Sequence, residues 1–283
     1  MKYSLEQEIF KKGSTTYYVG ARLFPKEVRS DVLRLYSFLR VADDYVDCQP
    51  PQSKKFAALR AAWNVAKDNP VFDTTQAVND TVDERVIKNI VAVAHKHAFD
   101  LAWVESFWDA MQSDLDEQER LTLEDSLRYV YGSAEAVGLM MVKIMGLPRQ
   151  AYGTAKLQGR AMQWINFIRD LDEDNALGRR YFPLEDLKKF GLKDLSRQTA
   201  RANKTAFEAF MRFEIARYHE WQVPAREGLR HIPGLLRPGL VAATRLYDWT
   251  ADQIAVNPLV VFDHKVKPTK LRLLATATRS LFF

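Results

Sequence analysis

The chain has 283 residues, of which 47% are hydrophobic, 27% charged and 12% aromatic. This composition excludes disordered and collagen-like chains, and the length allows one large domain or two ordinary ones. The single cysteine, Cys48, excludes an intramolecular disulfide and a thiolate zinc site, so a cytoplasmic protein is expected. The formal net charge of +5 suits an anionic partner. No nucleic-acid fingerprint occurs, so we expect no nucleic-acid binding.

Helix breakers are absent from one long stretch, since Val71 to Tyr131 contains neither glycine nor proline. This predicts a mostly helical protein. The segment from Lys26 to Asp47 follows Pro25 and has apolar residues at steps near 3.6, which predicts a helix. Further helices are predicted over about 53–67, 83–97, 101–112, 122–145, 149–175, 199–223 and 239–255.

No linker, repeat or abrupt change of composition divides the chain, which predicts a single all-α domain over residues 1–283. No window approaches the roughly 18 apolar residues of a membrane-spanning helix. Between Gly178 and Leu195 the sequence mixes glycine, proline and charge after a long predicted helix. This favours a loop or flap over a site.

Three aspartates crowd the end of the first long predicted helix, Asp43, Asp44 and Asp47. At this spacing like charges destabilise one another, and the helix dipole disfavours anions at the same end. Either Arg40 or a hard divalent ion such as Mg2+ should therefore compensate them. The alternative interpretation is a solvated acidic patch or a cap for the following helix.

A second polar set, Gln163, Asn166, Asp170 and Asp174, lies in a later predicted helix. Asn166, Asp170 and Asp174 have i, i+4, i+8 spacing, which aligns three oxygen ligands on one helix face. The alternative is an ordinary charged helix end. Two such sets in one helical chain favour a shared cavity in which Mg2+ bridges to a diphosphate.

Several arginines lie beside these acids in the sequence. Guanidinium groups can neutralise phosphate oxygens with bidentate geometry. The simpler interpretation is that each pairs only with neighbouring aspartates. The residues concerned are Arg40, Arg169, Arg179 and Arg180.

The acidic motifs belong to a longer pattern of motifs in chain order. They are Ser14-Thr-Thr-Tyr17-Tyr18, Leu23-Phe24-Pro25, Tyr36-Ser-Phe-Leu-Arg40-Val-Ala-Asp43-Asp44-Tyr-Val-Asp47, Asp114-Leu with Leu123-Glu-Asp-Ser-Leu127-Arg-Tyr129, Val137-Gly138, Gln163-Trp-Ile-Asn166-Phe-Ile-Arg169-Asp170-Leu-Asp-Glu-Asp174 and Gly178-Arg-Arg-Tyr181-Phe-Pro183. The pattern resembles the squalene/phytoene synthase family, which condenses prenyl diphosphates head to head. The resemblance covers nearly the whole chain.

The resemblance implies a single-domain, all-α isoprenoid-synthase fold with helices around a central cavity for two prenyl diphosphates. It implies that Mg2+, or Mn2+ in its place, is held by Asp43, Asp47, Asp170 and Asp174 with Asn166. The same four aspartates and the cavity tyrosine Tyr129 would be catalytic. The implied substrate contacts are Ser14, Tyr17, Tyr36, Arg40, Gln163, Asn166, Arg169, Arg180, Tyr247 and Lys265.

Departures from the family pattern shape the expected chemistry. Glu135 stands where glycine is common, and Gly132 stands where some members carry tyrosine, which leaves the proton-transfer group open. No glycine-rich dinucleotide motif and no C-terminal anchor are seen, so the resemblance favours a synthase that works without NADPH. Ala21 aligns where C30-forming relatives tend to carry phenylalanine, which favours two geranylgeranyl diphosphates and phytoene.

Alternatives stay open at this point. One is a C30 squalene or dehydrosqualene synthase that uses farnesyl diphosphate, and another is a non-catalytic, family-like assembly or binding factor. A third is a terpene cyclase or head-to-tail elongator. Four retained aspartates argue against a non-catalytic protein, and Tyr247 and Lys265 argue for the head-to-head branch.

Two further charged segments receive a plainer interpretation. The acidic run from Asp114 to Glu119 is predicted to be a solvated helix end. Lys265, Lys267, Lys270 and Arg272 form a loose basic run, in which Lys265 would serve diphosphate. The others would approach an anionic membrane surface, a peripheral contact suited to product release.

Overall fold

Helices make up the regular structure of the computed structural model, which describes residues 4–13, 18, 20–68, 80–116 and 119–280. No strand occurs over these residues, as the sequence predicts. A π-helical segment lies at Tyr131–Glu135, and 3-10 segments lie at Arg149–Ala151, Arg226–His231 and Pro258–Phe262. The α-helices are α1 (Leu5–Gly13), α2 (Lys26–Asp47), α3 (Ser53–Ala66), α4 (Val82–Lys96), α5 (Leu101–Leu115), α6 (Leu123–Val130), α7 (Ala136–Ile144), α8 (Tyr152–Arg169), α9 (Leu171–Ala176), α10 (Leu184–Lys189), α11 (Arg197–Ala202), α12 (Lys204–Ala225), α13 (Arg237–Val256) and α14 (Lys270–Ser280).

Side-chain caps fix the starts of α4 and α6. The Glu84 amide donates to Thr81 Oγ1 at 3.2 Å, and the Thr81 amide donates to the Glu84 carboxylate at 2.9 Å. Thr122 and Asp125 form the same reciprocal pair before α6. Capping boxes satisfy amides that lack partners within the helix and contribute about 1 kcal/mol each. Both helices therefore begin within one residue of their predicted positions.

The helix predicted over 122–145 is interrupted by the π-helical segment between α6 and α7. A Cβ atom at Gly132 would lie 2.0 Å from the Ser106 carbonyl oxygen of α5. A Cβ atom at Gly138 would lie 2.6 Å from the Ala155 carbonyl oxygen of α8. Only glycine permits these two close crossings. The predicted helix is therefore present at nearly the predicted bounds, and it contains a wider turn for which the apolar pattern carries no signal.

Two other predicted helices are divided. The helix predicted over 149–175 breaks at Asp170, whose φ of −97° and ψ of 12° separate α8 from α9. The helix predicted over 199–223 breaks at Asn203, between α11 and α12. Both breaks lie beside polar residues that bond their own backbone as readily as they extend a helix.

The segment predicted to be a loop or flap, Gly178–Leu195, is part of the core. It contains α10, and Phe182, Leu187 and Leu192 within it are at most 3% exposed. The predicted loop is present over residues 178–183, where Arg179 contacts Asp47 and Tyr181 contacts Asp114, whereas the later apolar side chains pack inward and do not form a flap.

Helix α8 lies at the centre of the fold, where it packs against α7, α12, α13 and the π-helical segment. Its Trp164 is fully buried, with ring centroids 5.1 Å from Trp221 and 5.6 Å from Phe182 in edge-on geometry. Edge-on aromatic pairs add about 1 kcal/mol beyond burial of their surface. This packing fixes the helix whose last turn presents the second polar set. Over the described residues, no helix has the length and apolar character needed to cross a bilayer.

Candidate active site

The first acidic set occupies the C-terminal turns of α2. Arg40 Nη1 lies 3.1 Å from Asp43 Oδ2, and Arg40 Nη2 lies 2.5 Å from Asp44 Oδ1. Arg40 therefore provides one of the two compensations that the sequence predicts. Asp44 is half exposed, whereas Asp47 is bound by Arg179, whose other nitrogen donates to the Val46 carbonyl oxygen at 2.9 Å.

The second polar set spans the junction of α8 and α9. The Asp170 amide donates to the Asn166 carbonyl at 2.8 Å, and the Asp174 amide donates to the Asp170 carbonyl at 2.9 Å. These bonds preserve the i, i+4, i+8 spacing across the break. The predicted alignment of three oxygen ligands therefore survives although the helix is not continuous.

The two acidic sets face each other closely enough to interact through their charges. Burial, and then the charge of Asp47, raises the pKa of Asp43 to about 7. Burial, and then the charges of Asp170 and Asp47, raises the pKa of Asp174 well above its usual range. Carboxylates from α2 and from the α8–α9 junction thus share one poorly solvated region.

Basic side chains surround the second set. Arg169 makes two bonds to Asp170, at 2.7 and 2.6 Å. Lys265 lies 3.0 Å from Asp170 and 2.5 Å from Glu173. Although burial opposes it, this basic pairing holds the pKa of Asp170 below its ordinary value. The predicted residue Lys265 is therefore brought to the acidic set from a distant part of the chain.

A cavity of about 400 Å3 opens from this region into the helical core. Its polar end includes Arg40, Asp43, Gln163 and Asn166. Along α8 the lining runs from Asn166 back to Thr154, about 18 Å at the helical rise of 1.5 Å per residue. The remaining walls are mostly apolar and include Phe24, Val32, Leu35, Leu39, Phe107, Met111, Val137, Met141, Met145, Leu147, Leu229, Ile232 and Leu240.

Ala21 lies in the apolar part of the cavity wall and is 4% exposed. Helix α13 packs closely against the residues around Ala21. A Cβ atom at Gly239 of this helix would lie 2.8 Å from the Gly20 carbonyl oxygen and 2.9 Å from Phe24. Because Ala21 lines the cavity, a larger side chain at position 21 would occupy part of it.

The structure brings most of the predicted site residues together. The lining residues among them are Ala21, Tyr36, Arg40, Asp43, Tyr129, Gln163 and Asn166. Tyr247 is buried and close enough to Tyr36 for their charges to interact. Arg180 has a buried Nε without a hydrogen-bond partner among the described groups. Ser14 and Tyr17 lie outside the described residues.

One prediction about the acidic run is wrong, because Asp114 is buried rather than solvated, at 8% exposure. Its carboxylate accepts hydrogen bonds from the hydroxyls of Tyr129 and Tyr181 at 2.7 and 3.1 Å. Arg120, also buried, lies 3.4 Å from the same carboxylate. The sequence carries a signal for this, since Asp114 falls on the apolar face of α5 that contains Phe107.

Glu135, the departure from the small-residue pattern, is 1% exposed. It pairs with Arg160 at 2.7 Å and with Lys156 at 3.6 Å, both on α8. Its neighbours Ser133 and Ala134 line the cavity. Glu135 itself is not among the lining residues. Its bonds to Arg160 and Lys156 stabilise the crossing of the π-helical segment over α8.

The acidic sets fit a divalent cation by their chemistry. Over the described residues, no three carboxylate, histidine or cysteine side chains already surround one point. Asp43, Asp47 and Asp170 instead pair with arginines. Two observations nevertheless suit a cation: the buried Asn166 Oδ1 accepts no hydrogen bond from a described group, and the pKa values of Asp43 and Asp174 are raised. Carboxylate and amide oxygens are the ligands Mg2+ takes.

The fold is an all-α bundle with acidic and basic side chains at one end of an apolar cavity. A dehydrosqualene synthase structure superposes with a TM-score of 0.82 at 23% identity, covering 97% of this chain and 93% of that one. A squalene synthase from Alicyclobacillus acidocaldarius gives 0.69 at 19% identity, covering 88% and 91%. These likenesses establish the fold.

The family model for squalene/phytoene synthase matches residues 10–272, so the chain belongs to the squalene/phytoene synthase family of prenyltransferases. It is 29% identical to a 15-cis-phytoene synthase of Paracoccus sp., over 85% of this chain and 78% of that protein. It is 27% identical to a 15-cis-phytoene synthase of Pantoea ananas, over 96% and 89%. A presqualene diphosphate synthase of Sinorhizobium fredii is 31% identical over 63% and 61%.

Proposed function

We propose that the protein condenses two geranylgeranyl diphosphates head to head to phytoene, through the cyclopropylcarbinyl intermediate prephytoene diphosphate, with release of two diphosphates. The observation that carries this proposal is the continuity of one cavity, which has Arg40, Asp43 and Asn166 at one end and apolar walls beyond. A prenyl diphosphate has the same division between an anionic head and an apolar tail. The relatives named as phytoene synthases support the same reaction.

The apolar end of the cavity limits the length of the prenyl chain that can bind. Ala21 leaves space where a bulky side chain would shorten the cavity, and this supports a C20 substrate. The runner-up is a C30 reaction on farnesyl diphosphate, which the presqualene diphosphate synthase among the relatives favours. Cavity depth discriminates between substrates because each buried carbon contributes about 0.8 kcal/mol.

Asp43, Asp47, Asp170 and Asp174, with Asn166, would hold Mg2+, and Mn2+ would suit the same oxygen ligands. When bound, the metal supplies Lewis-acid assistance to the departure of diphosphate. Four like-charged groups in one poorly solvated region are destabilising without cations, which supports this assignment.

The basic residues around the acids orient the leaving group. Arg40, Arg169 and Lys265 each pair with a site aspartate and would exchange that partner for diphosphate oxygens. Arg179 connects the two acidic sets, because its amide donates to the Asp174 carbonyl oxygen at 2.9 Å and its guanidinium binds Asp47 and the Val46 carbonyl oxygen. The apolar walls exclude water from the carbocations that form once diphosphate leaves.

We expect no NADPH requirement, because phytoene formation ends in proton loss rather than reduction. We place the reaction in the cytoplasm, with peripheral contact at the membrane that receives the product. In α14, Leu271 is 77% exposed and Arg272 is also exposed, a combination suited to an anionic lipid surface.

A product assay tests the proposal. The purified chain is incubated with Mg2+ and either geranylgeranyl or farnesyl diphosphate, with and without NADPH, and extracts are identified by mass and ultraviolet spectrum. A C40 triene from the C20 substrate without NADPH is the expected result. A C30 hydrocarbon from farnesyl diphosphate would instead assign the protein to the squalene and dehydrosqualene synthases. Diphosphate binding without any hydrocarbon would favour a non-catalytic binding factor.

A further inference from the structure

A buried hydrogen-bond network connects the cavity wall to Asp114, a residue outside both acidic sets. Tyr129 lines the cavity, and its hydroxyl donates to Asp114 Oδ2 at 2.7 Å. Tyr181 donates to the same oxygen at 3.1 Å. All three side chains are at most 8% exposed. In both bonds the phenol hydroxyl donates and the carboxylate oxygen accepts.

This direction determines what Tyr129 presents to the cavity. A phenol has one hydrogen, and at Tyr129 that hydrogen points to Asp114. The lone pairs of the phenolic oxygen do not take part in that bond, and they belong to a residue that lines the cavity. Within an apolar cavity an exposed oxygen lone pair stabilises an adjacent carbocation and can accept a proton from it.

Arginines support the charged form of Asp114. Arg120 lies 3.4 Å from its Oδ1, and the Arg120 guanidinium stacks 5.0 Å from the Tyr129 ring centroid. Burial raises the pKa of Asp114, while the charge of Arg179 and the Tyr129 hydrogen bond oppose the rise. The arginines and the tyrosine hydroxyl therefore favour the carboxylate, while burial makes it a better proton acceptor.

We propose that Asp114 is a positioning residue that aims the Tyr129 oxygen at the reacting carbons and finally receives the proton that the carbocation loses. The proposal rests on the proposed function and identifies the proton acceptor for it. In the step, a C–H bond next to the cationic carbon breaks, and its electron pair becomes the π bond of the central carbon–carbon double bond. The proton passes to Tyr129 Oη, whose own proton passes to Asp114 Oδ2. A cation and a carboxylate become a neutral product and a carboxylic acid, which returns its proton to water when the site empties.

The hydrogens on the diphosphate-bearing carbons of the substrate provide a direct probe of proton transfer. Two geranylgeranyl diphosphates carry four hydrogens on their diphosphate-bearing carbons, and the central double bond of phytoene retains two. Both lost protons therefore leave from these carbons. Substrate deuterated there reports on proton transfer alone, whereas diphosphate departure and binding depend little on it.

The experiment compares the wild type with Asp114→Asn and with Asp186→Asn as a matched control. Asp186 is also buried, at 6%, and bonds Arg217 at 2.7 Å, but it does not line the cavity. We expect Asp114→Asn to lower kcat by roughly 100-fold or more, the usual range for loss of a general base. A primary deuterium isotope effect on kcat should appear, with KM and inorganic-diphosphate affinity unchanged. Asp186→Asn should leave the isotope effect at its wild-type value.

A second variant, Tyr129→Phe, keeps the ring packing and retains Asp114. It should show the same isotope effect, which keeps the proposal testable if Asp114→Asn unfolds. If the wild type is active and Asp114→Asn has the same kcat and isotope effect, the role of Asp114 is overturned while the proposed function stands. Equal loss of kcat and diphosphate binding without an isotope effect would make the network structural. A wild type that binds but does not convert either prenyl diphosphate would overturn the proposed function itself.

Discussion

Replacing Ala21 with phenylalanine tests the proposed substrate length. The segment that contains Ala21 lies beside the first turns of α2, because the Arg29 guanidinium donates to the Arg22 carbonyl at 3.4 Å. Arg29 and Asp43 are about 21 Å apart along the helix axis at 1.5 Å per residue. A benzyl group at position 21 would therefore occupy the apolar end of the cavity and leave the carboxylate end unchanged.

The magnitude follows from the part of the substrate that is displaced. Burial of an apolar carbon is worth about 0.8 kcal/mol, so exclusion of a terminal five-carbon unit costs up to about 4 kcal/mol. Movement of side chains around the new ring reduces this cost to about 2 kcal/mol at the lower limit. At 1.4 kcal/mol per factor of ten, the C20 substrate should lose about 30- to 1000-fold in kcat/KM. The shorter C15 chain does not carry this unit.

The assay measures kcat/KM for geranylgeranyl and farnesyl diphosphate with wild type and Ala21→Phe. Ala62→Phe, at an exposed position of α3, is the control for adding an aromatic side chain. Thermal unfolding establishes that both variants are folded. A folded Ala21→Phe protein with the wild-type ratio of the two kcat/KM values would refute the argument that position 21 limits substrate length.

Three further predictions concern the acidic sets, a buried acid and a close helix crossing. Asp43→Asn or Asp170→Asn should lower turnover by at least about 100-fold while circular dichroism shows a folded chain; substantial activity in either would remove the metal-site assignment. Burial raises the pKa of Glu214 from 4.5 to about 8, against the charge of Arg217. The folded state then keeps a proton that the unfolded chain loses, so the free energy of unfolding should fall between about pH 4.5 and 8 by at most about 1.4 kcal/mol per unit. Urea titrations of Glu214→Gln should show a flatter pH slope, and an unchanged slope would contradict this pKa. Gly132→Ala should destabilise the protein by about 2 kcal/mol or more, because its Cβ would overlap an α5 carbonyl oxygen, and a wild-type Tm would contradict the close crossing.

The sequence predicts those parts of the fold that depend on periodicity. Helix α2 has the predicted bounds because Pro25 begins it and the apolar spacing is regular as far as Asp47. The π-helical segment was not predictable in this way, since its cause is the approach of α5 to Gly132 from elsewhere in the chain. Local patterns report a residue's own helix and do not report what crosses it.

The same distinction applies to the candidate site. Asp43 and Asp170 could be identified because each stands in a run of acids whose spacing is unfavourable without a cation. The position of Asp114 on the apolar face of α5 indicates its burial, but its hydrogen bond from Tyr181, which is distant in the chain, has no local signal. Lys265 likewise reaches Asp170 only through the folded C-terminal segment. Residues that act through tertiary contacts have the weakest sequence signal.

The convergence of carboxylates is itself an argument for a cationic ligand. Folding brings Asp47 close enough to Asp43 and Asp174 for its charge, together with their burial, to raise the pKa of both. Arg40 and Arg179 offset this repulsion in part. Apolar side chains of similar size would stabilise the fold as well or better, because buried ion pairs seldom contribute more to stability than such side chains do. These acids are therefore consistent with the proposed role, in which they would hold a divalent cation that assists the departure of diphosphate.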